Sequence, residues 1–219
     1  MADLFQSIKA IASLDSKIIV FFSTGKDSTV MLDLFQRFLP GRYQAVFLYF
    51  VKGLSFQESI LRHYEDRFGI KIERRPHWDI ANYDRAMANV QGRALKEKDI
   101  AAHIREETGL SWLAYGYRRD ESMQRRGILT PFAPDYIDAK FRKVYPLGAW
   151  SNHHIDEYIK ARKLLLPREY AFGFRNIDQF KGPAVLWIKN NYPEDWQKII
   201  DRFPIVEAEA LRQEVKNGY

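Results

Sequence analysis

The sequence predicts an α/β fold built on a Rossmann-like, doubly wound and mainly parallel sheet of five strands. Short apolar runs, rich in β-branched and aromatic residues, alternate with longer segments of helical periodicity. Unbroken apolar runs are typical of strands that are buried on both faces. The predicted strands are residues 18–22, 44–50, 70–74, 110–115 and 144–147. The first three alternate with helices in the order β-α-β-α-β, which predicts parallel pairing through right-handed crossovers.

Apolar residues at helical spacing predict the elements around these strands. We expect helices over residues 2–13, from 27 or 28 to 38, and over 55–68, 94–108 and 151–164. Ser55 is the candidate N-cap of the third helix, with Glu58 in the capping-box position, and Gly69 ends that helix. Ser151 or Asn152 is expected to cap the last one.

The remaining segments show weaker patterns. Residues 75–92 and 128–143 have little periodicity, and residues 116–127 form a strongly charged segment that predicts a loop. The part of the chain after residue 164 is aromatic, basic and expected to be mostly helical, with aromatic residues such as Tyr170 packing in its core. We therefore expect an α/β domain over residues 1–178 and a helical C-terminal extension of the same domain over 179–219.

Composition excludes several function classes. The 219 residues include no cysteine, which excludes disulfides, thiolate catalysis and cysteine-ligated iron–sulfur or zinc sites. No apolar run approaches the ~18 residues of a membrane span, so no membrane association is expected. The first residues lack the pattern of a signal peptide, and a cytoplasmic location is the expectation. The formal net charge of +6 suits anionic ligands and permits a nucleic-acid partner.

A polar loop directly after the first strand predicts an anion site. Residues 23–28 read Ser-Thr-Gly-Lys-Asp-Ser and lead into a helix, whose first N–H groups and dipole favour negative charge. The P-loop pattern is not met, because Val20 stands at its first glycine and Asp27 follows the lysine. Lys26 adds a cation to the loop. Asp27 is interpreted either as a helix cap or as a ligand of Mg²⁺ that bridges phosphates.

A second candidate element is the arginine cluster that follows the fourth predicted strand. Arg118, Arg119, Arg125 and Arg126 lie within nine positions. Guanidinium groups bind phosphate or sulfate in a bidentate way, so this cluster indicates an anion clamp at the carboxyl edge of the sheet.

The order of several motifs resembles that of the PAPS reductases. These are a family of the N-type ATP pyrophosphatase superfamily, whose fold is described as adenine nucleotide alpha hydrolase-like. The matching segments are the loop 23–28, Phe-Gln-Glu-Ser at 56–59, Gly-Tyr-Arg-Arg-Asp-Glu-Ser at 116–122, the Pro-Leu and Trp of 144–150, Leu-Pro-Arg-Glu-Tyr at 166–170, and Gly-Phe at 173–174. Gly53 matches the glycine of the family's D-T-G motif, but Val51 and Lys52 replace the other two residues.

The resemblance implies a pyrophosphate (PP) loop that binds ATP or PAPS, with Mg²⁺ as a companion ion. The implied nucleotide-binding residues are Ser23, Thr24, Gly25, Lys26, Asp27, Ser28, Leu48, Tyr49, Phe50, Gly116, Arg118 and Arg119. The main chain around Leu48, Tyr49 and Phe50 would read the adenine edge. The implied catalytic residues are Lys26, Asp27, Arg118 and Arg119, and Asp27 is the implied Mg²⁺ ligand.

The missing cysteine changes the expected activity, because the family's reductases attack sulfur with a thiolate. Our leading hypothesis is a Mg²⁺-dependent ATP pyrophosphatase that adenylates an unknown acceptor, such as a nucleic acid or nucleobase. The first alternative is a non-catalytic ATP- or PAPS-binding module of a modification or sulfur-transfer complex. The second is a PAPS reductase that uses a partner protein's thiol. No iron–sulfur cluster is expected, and a homodimer is compatible with the sequence.

Overall fold

The computed structural model describes residues 4–174 and 180–216, which fold around a six-stranded sheet of order β3-β2-β1-β4-β6-β5. The strands are β1 Ile18–Phe21, β2 Tyr43–Tyr49, β3 Ile72–Pro76, β4 Trp112–Ala114, β5 Ile137–Asp138 and β6 Lys143–Val144. All pairs are parallel except β5 with β6. The five predicted strands are present. The sixth, β5, has two residues and is too short to give an apolar pattern.

Ten helices flank the strands in the part of the chain that the structure describes. They are α1 Gln6–Ala12, α2 Lys26–Phe38, α3 Ser55–Phe68, α4 Trp78–Met87, α5 Glu97–Thr108, α6 Met123–Leu129, α7 Asn152–Arg162, α8 Ala184–Asn191, α9 Pro193–Arg202 and α10 Ile205–Lys216. Two 3₁₀ turns cover Thr130–Phe132 and Arg168–Phe172. None of the helices within the described ranges is long and apolar enough to cross a membrane.

Two helices lie where the sequence predicted irregular structure. No residue of helix α4 is buried, and its Ile80 and Tyr83 are only partly buried where they pack against a core cluster. Helix α6 begins inside the segment predicted to be a charged loop. Ser122 caps it, since its hydroxyl accepts a hydrogen bond of 3.1 Å from the N–H of Arg125.

Helices cover both faces of the sheet, as a doubly wound fold requires. One core cluster joins β1 and β2 to α1, α2, α3 and α7. A second cluster, on the other face, includes Ala101 and Ile104 of α5 and Leu129 of α6. A third joins the C-terminal helices to Leu54 and Phe56 at the start of α3. The C-terminal part is helical as predicted, while the predicted boundary at 178/179 lies outside the described residues.

The order of the strands places a topological switch at the centre of the sheet. From β1 the chain moves outward to β2 and β3, and it then returns to place β4 on the other side of β1. Crossovers on opposite sides leave a crevice outside the carboxyl ends of β1 and β4. The loop after β1 and the arginine segment after β4 both open into this crevice.

The capping box predicted at Ser55 and Glu58 is wrong. The N-cap of α3 is Leu54, which has no side-chain cap, and Glu58 pairs instead with Arg74 at 2.9 Å. The cap comes from Asp195 of α9, whose Oδ2 accepts hydrogen bonds from Ser55 N (2.6 Å), Ser55 Oγ (2.7 Å) and Phe56 N (3.3 Å). Helix α9 thereby satisfies the free donors of α3, a contact that no local pattern could predict.

We expect Asp195→Asn to lower the free energy of unfolding by about 2 kcal/mol, measured by urea denaturation. Asp195 is 1% exposed, so the variant loses a buried charge–dipole contact and leaves donors of α3 poorly paired. The control is Asp201→Asn on the same helix, where the exposed carboxylate accepts from the side chain of Gln197 (2.7 Å). A change of the same size in both variants would contradict the capping role.

Candidate functional site

The loop between β1 and α2 is closed by a serine pair. The Oγ of Ser28 accepts a hydrogen bond of 3.1 Å from Ser23 N and donates one of 2.9 Å to Gly25 O. The two hydroxyl oxygens, Ser23 Oγ and Ser28 Oγ, lie 3.1 Å apart. These contacts fix the loop across the end of β1, so that the first N–H groups of α2 point into the crevice.

Gly25, not Asp27, is the N-cap of α2, and no side chain caps this helix. Asp27 lies in the first turn, so the interpretation of Asp27 as the cap is wrong. Thr24 is buried and has a φ of +61°, a left-handed conformation that costs on the order of 1 kcal/mol in a non-glycine residue. The loop therefore contains one strained residue. It leads directly into the first N–H groups of α2, which the N-cap residue does not cap with a side chain.

Arg118 reaches the loop from the end of β4 and pairs with Asp27. The distances are 3.2 Å from Arg118 Nε to Asp27 Oδ1 and 3.4 Å from Nη2 to Oδ2. Arg118 is only 4% exposed, and its Nη1 finds no hydrogen-bond acceptor among the described residues. A buried guanidinium with an unused donor beside a cavity is suited to bind an anion.

Burial raises the pKa of Asp27 above its ordinary value, because the charged carboxylate loses contact with water. The nearby guanidinium of Arg118 opposes this effect and lowers the pKa, while Glu121 adds to the rise. Glu121 also accepts a hydrogen bond of 3.0 Å from Arg118 N. The ionisation of Asp27 is therefore coupled to the position of Arg118.

Three side chains that the sequence did not assign to the site contact Lys26. The Nζ of Lys26 donates to Asn152 Oδ1 at 2.9 Å and to Asp156 Oδ1 at 3.1 Å, both on α7. The hydroxyl of Tyr170 accepts from Lys26 N at 3.2 Å. Asn152 was predicted only as a possible cap of α7, a role that Ser151 fills, and Tyr170 only as a packing residue. The signal that could have found Tyr170 is its place in the motif at 166–170.

The structure brings Gly116 and Arg118 to the loop but directs Arg119 elsewhere. An added Cβ on Gly116 would lie 3.7 Å from Ser28 N, so this glycine packs against the loop backbone. Arg119 Nη1 donates to the hydroxyl of Tyr136 at 3.3 Å. The guanidinium of Arg125 lies over the ring of Tyr117, 3.2 Å from its centroid.

Two cavities with shared walls lie along the crevice. The larger one, of about 540 Å³, is lined by the loop, Gly116, Arg118, Asn152 and Tyr170. The smaller one, of about 210 Å³, is mostly apolar, and its lining includes Leu48 and Trp78. The walls they share are Phe21, Ser23, Tyr115 and Tyr117. A polar cavity that shares walls with a mostly apolar, partly aromatic one has the polarity that suits a nucleotide.

Of the three residues predicted to read a base, only Leu48 lines the smaller cavity. Tyr49 O accepts a hydrogen bond of 2.9 Å from His77 N, so it faces β3. The ring of Phe50 stacks on His77 at 4.2 Å. Because alternate residues of a strand direct their main-chain groups to opposite neighbours, Leu48 faces the β1 side, where Phe22 N bonds to Val46 O.

Residues 4–174 and 180–216 give little indication of a metal site that is built from protein side chains alone. No group of three His, Cys, Asp or Glu residues that could hold a metal ion occurs there. Asp27 lines the larger cavity, and its buried Oδ1 lies 3.2 Å from Arg118 Nε. Mg²⁺ commonly uses one or two carboxylates and takes its remaining ligands from phosphates and water, a pattern that Asp27 fits.

We expect Arg118→Met to raise the pKa of Asp27 further, measured by pH titration of its ¹³Cγ signal in NMR spectra. The variant removes the cation that lowers this pKa and leaves the burial that raises it. Arg119→Met is the matched control, because that guanidinium contacts Tyr136 rather than Asp27. A fall in the pKa of Asp27 in Arg118→Met, or an equal change in both variants, would contradict the coupling.

Among curated proteins, sulfate adenylyltransferase subunit 2 of Mycolicibacterium vanbaalenii is 23% identical over 225 residues, covering 92% of this chain and 73% of that protein. Among solved structures, the PAPS reductase of Candida auris in a phosphate complex aligns with a TM-score of 0.53 and 14% identity, covering 78% of this chain and 85% of that one. The FMN adenylyltransferase of Candida glabrata in complex with ATP gives 0.53 and 15%, covering 78% and 58%.

At these identities the solved structures support the fold alone, an α/β architecture with a mainly parallel central sheet. The assignment of the chain to a family rests on a separate match. The sequence fits the model of the phosphoadenosine phosphosulfate reductase domain over residues 17–183, which is most of its length. The chain therefore belongs to the phosphoadenosine phosphosulfate reductase domain family, as a member whose 219 residues include no cysteine.

Proposed function

We propose that this chain binds an adenine nucleotide across the two joined cavities. The phosphates lie in the larger cavity against the loop, and the base lies in the smaller, apolar one. The observation that carries the proposal is the buried Arg118, which lines the larger cavity, pairs with Asp27 in the first turn of α2 at the switch point of the sheet, and has no acceptor for its Nη1 among the described residues. The adenine edge meets the main chain of Leu48, the predicted base-reading residue that lines the smaller cavity.

The proposed reaction is transfer of an adenylyl group from ATP. An acceptor oxygen forms a bond to the α-phosphorus, the bond from that phosphorus to the bridging β-phosphate oxygen breaks, and pyrophosphate leaves. Reduction of PAPS by this chain's own thiolate is excluded, because the sequence contains no cysteine. The names of the adenylyltransferases that the chain resembles support adenylyl transfer.

Each loop residue has a role in this proposal. The N–H groups of the loop, with the hydroxyls of Ser23 and Ser28 and the ammonium of Lys26, hold the β- and γ-phosphates. Arg118 stabilises the negative charge that develops on the leaving group. Arg119, whose guanidinium is directed at Tyr136, is proposed only as a secondary contact. Thr24 and Gly25 fix the path of the loop.

Mg²⁺ is proposed as the companion of the nucleotide, with Asp27 as its protein ligand. The ion would neutralise phosphate charge and orient the leaving group. Arg118 already lies 3.2 Å from Asp27, so the two residues form a pair that presents one carboxylate and one guanidinium to the same phosphates.

Sulfate is the first acceptor to test, since the similar protein from M. vanbaalenii is named a sulfate adenylyltransferase subunit. The word subunit in that name also suggests a partner protein. A nucleic acid is the second acceptor, because the net charge of +6 favours polyanions.

We expect pyrophosphate release when the protein is incubated with ATP, Mg²⁺ and either sulfate or RNA. The release is measured with a coupled phosphate assay. Ser23→Ala, Lys26→Ala, Asp27→Asn and Arg118→Met should each lower kcat/KM by about tenfold or more, because each removes a contact to the phosphates or to the ion. Lys189→Ala is the matched control for Lys26→Ala, since this lysine pairs with Glu214 in the C-terminal helices.

The other outcomes separate the alternatives. Unchanged turnover in the Ser23, Lys26 and Asp27 variants would show that the site is wrong. Tight binding of ATP or PAPS without pyrophosphate release, with any acceptor, would indicate a non-catalytic nucleotide-binding module. Release of sulfite from PAPS with added thioredoxin or glutathione would indicate reduction by a partner's thiol.

A further inference from the structure

The side-chain amide of Asn152 lies between the two cations of the site. Its Oδ1 accepts one hydrogen bond from Lys26 Nζ (2.9 Å) and another from Arg118 Nη2 (3.0 Å). Lys26 Nζ and Arg118 Nη2 can therefore lie no farther apart than the sum of these two distances. Two like charges this close repel each other, and an acceptor that both share offsets part of this repulsion.

Asn152 is itself held in place from two directions. It is the first residue of α7, which Ser151 caps through a hydrogen bond of 3.2 Å from His154 N to Ser151 Oγ. Its own N–H faces Asp120 Oδ2, at 3.4 Å, in the segment that carries Arg118. The amide oxygen thus has a defined position relative to both the loop and the arginine segment.

The neutrality of this acceptor matters for its effect. A carboxylate at the same place would compete with a ligand for both cations, whereas an amide orients them and adds no negative charge of its own. Arg118 has one carboxylate partner, Asp27, and Lys26 has another, Asp156, whose side chain is 54% exposed and therefore screened by water. The pair of cations remains available to an anion that carries two charges or more.

We propose that Asn152 is a positioning residue, which sets the separation of Lys26 and Arg118 so that together they clamp the pyrophosphate part of the ligand. This inference rests on the proposed function, because it names a further determinant of the same site. Asn152 acts through the two cations and does not itself contact the phosphates. Its place in the sequence gave no hint of this role, since an asparagine at a helix start is ordinarily a cap.

The test is calorimetric titration of the protein with inorganic pyrophosphate and, separately, with adenosine, in the presence of Mg²⁺. For Asn152→Leu we expect a dissociation constant for pyrophosphate that is about tenfold higher, because two charged donors lose their common acceptor. For Asn152→Asp we expect an equal or larger rise, because the new carboxylate occupies both cations. The dissociation constant for adenosine should stay unchanged in both variants, whereas a general disturbance of the fold would weaken both ligands.

Two controls accompany the titrations. His153→Asp adds the same charge to the next residue of α7, away from Lys26 and Arg118, and should change pyrophosphate binding by no more than about twofold. Asn152 is exposed, so thermal unfolding of its variants should match that of the wild-type protein. If the wild-type protein binds pyrophosphate and both Asn152 variants bind it with the same affinity, this inference alone is overturned. Failure of the wild-type protein to bind pyrophosphate would overturn the proposed function and the inference with it.

Discussion

The site depends on the burial of β1 at the centre of the sheet, between β2 and β4. Ile18, Ile19 and Val20 are fully buried, so this strand cannot shift without disturbing both core faces. The residues that follow β1 are therefore held at one fixed position at the carboxyl edge of the sheet. The loop, the N-terminus of α2 and the arginine segment after β4 meet there because two neighbouring parallel strands end at the same edge.

The features that the sequence predicted are those whose cause is local. The apolar runs identified five strands, and the serine, glycine and lysine residues identified the loop between β1 and α2, because each pattern lies within a few consecutive residues. The two-residue strand β5 is too short to carry such a pattern, and no residue of helix α4 is buried. Arg118 was found since its segment matches a known motif at a strand end.

The features that the sequence missed come from pairings across the fold. Asn152 and Tyr170 contact Lys26 from 126 and 144 residues away, and Asp195 caps α3 from 140 residues away. Such contacts depend on how helices pack onto the sheet, and a short polar side chain looks the same in a sequence whether it caps its own helix or another one. The capping box expected at Ser55 failed for this reason.

The hydrogen bond between Lys26 N and the hydroxyl of Tyr170 changes the energetics of the proposed anion site. An N–H group has one hydrogen, so a phosphate oxygen that takes this donor replaces the tyrosine oxygen. Occupation of the loop is therefore an exchange of acceptors, and its free energy is the difference between a charge-assisted hydrogen bond and a neutral one. Selectivity follows from this difference: a weak, uncharged acceptor gains almost nothing over the hydroxyl, whereas a multiply charged phosphate gains at every donor that it takes.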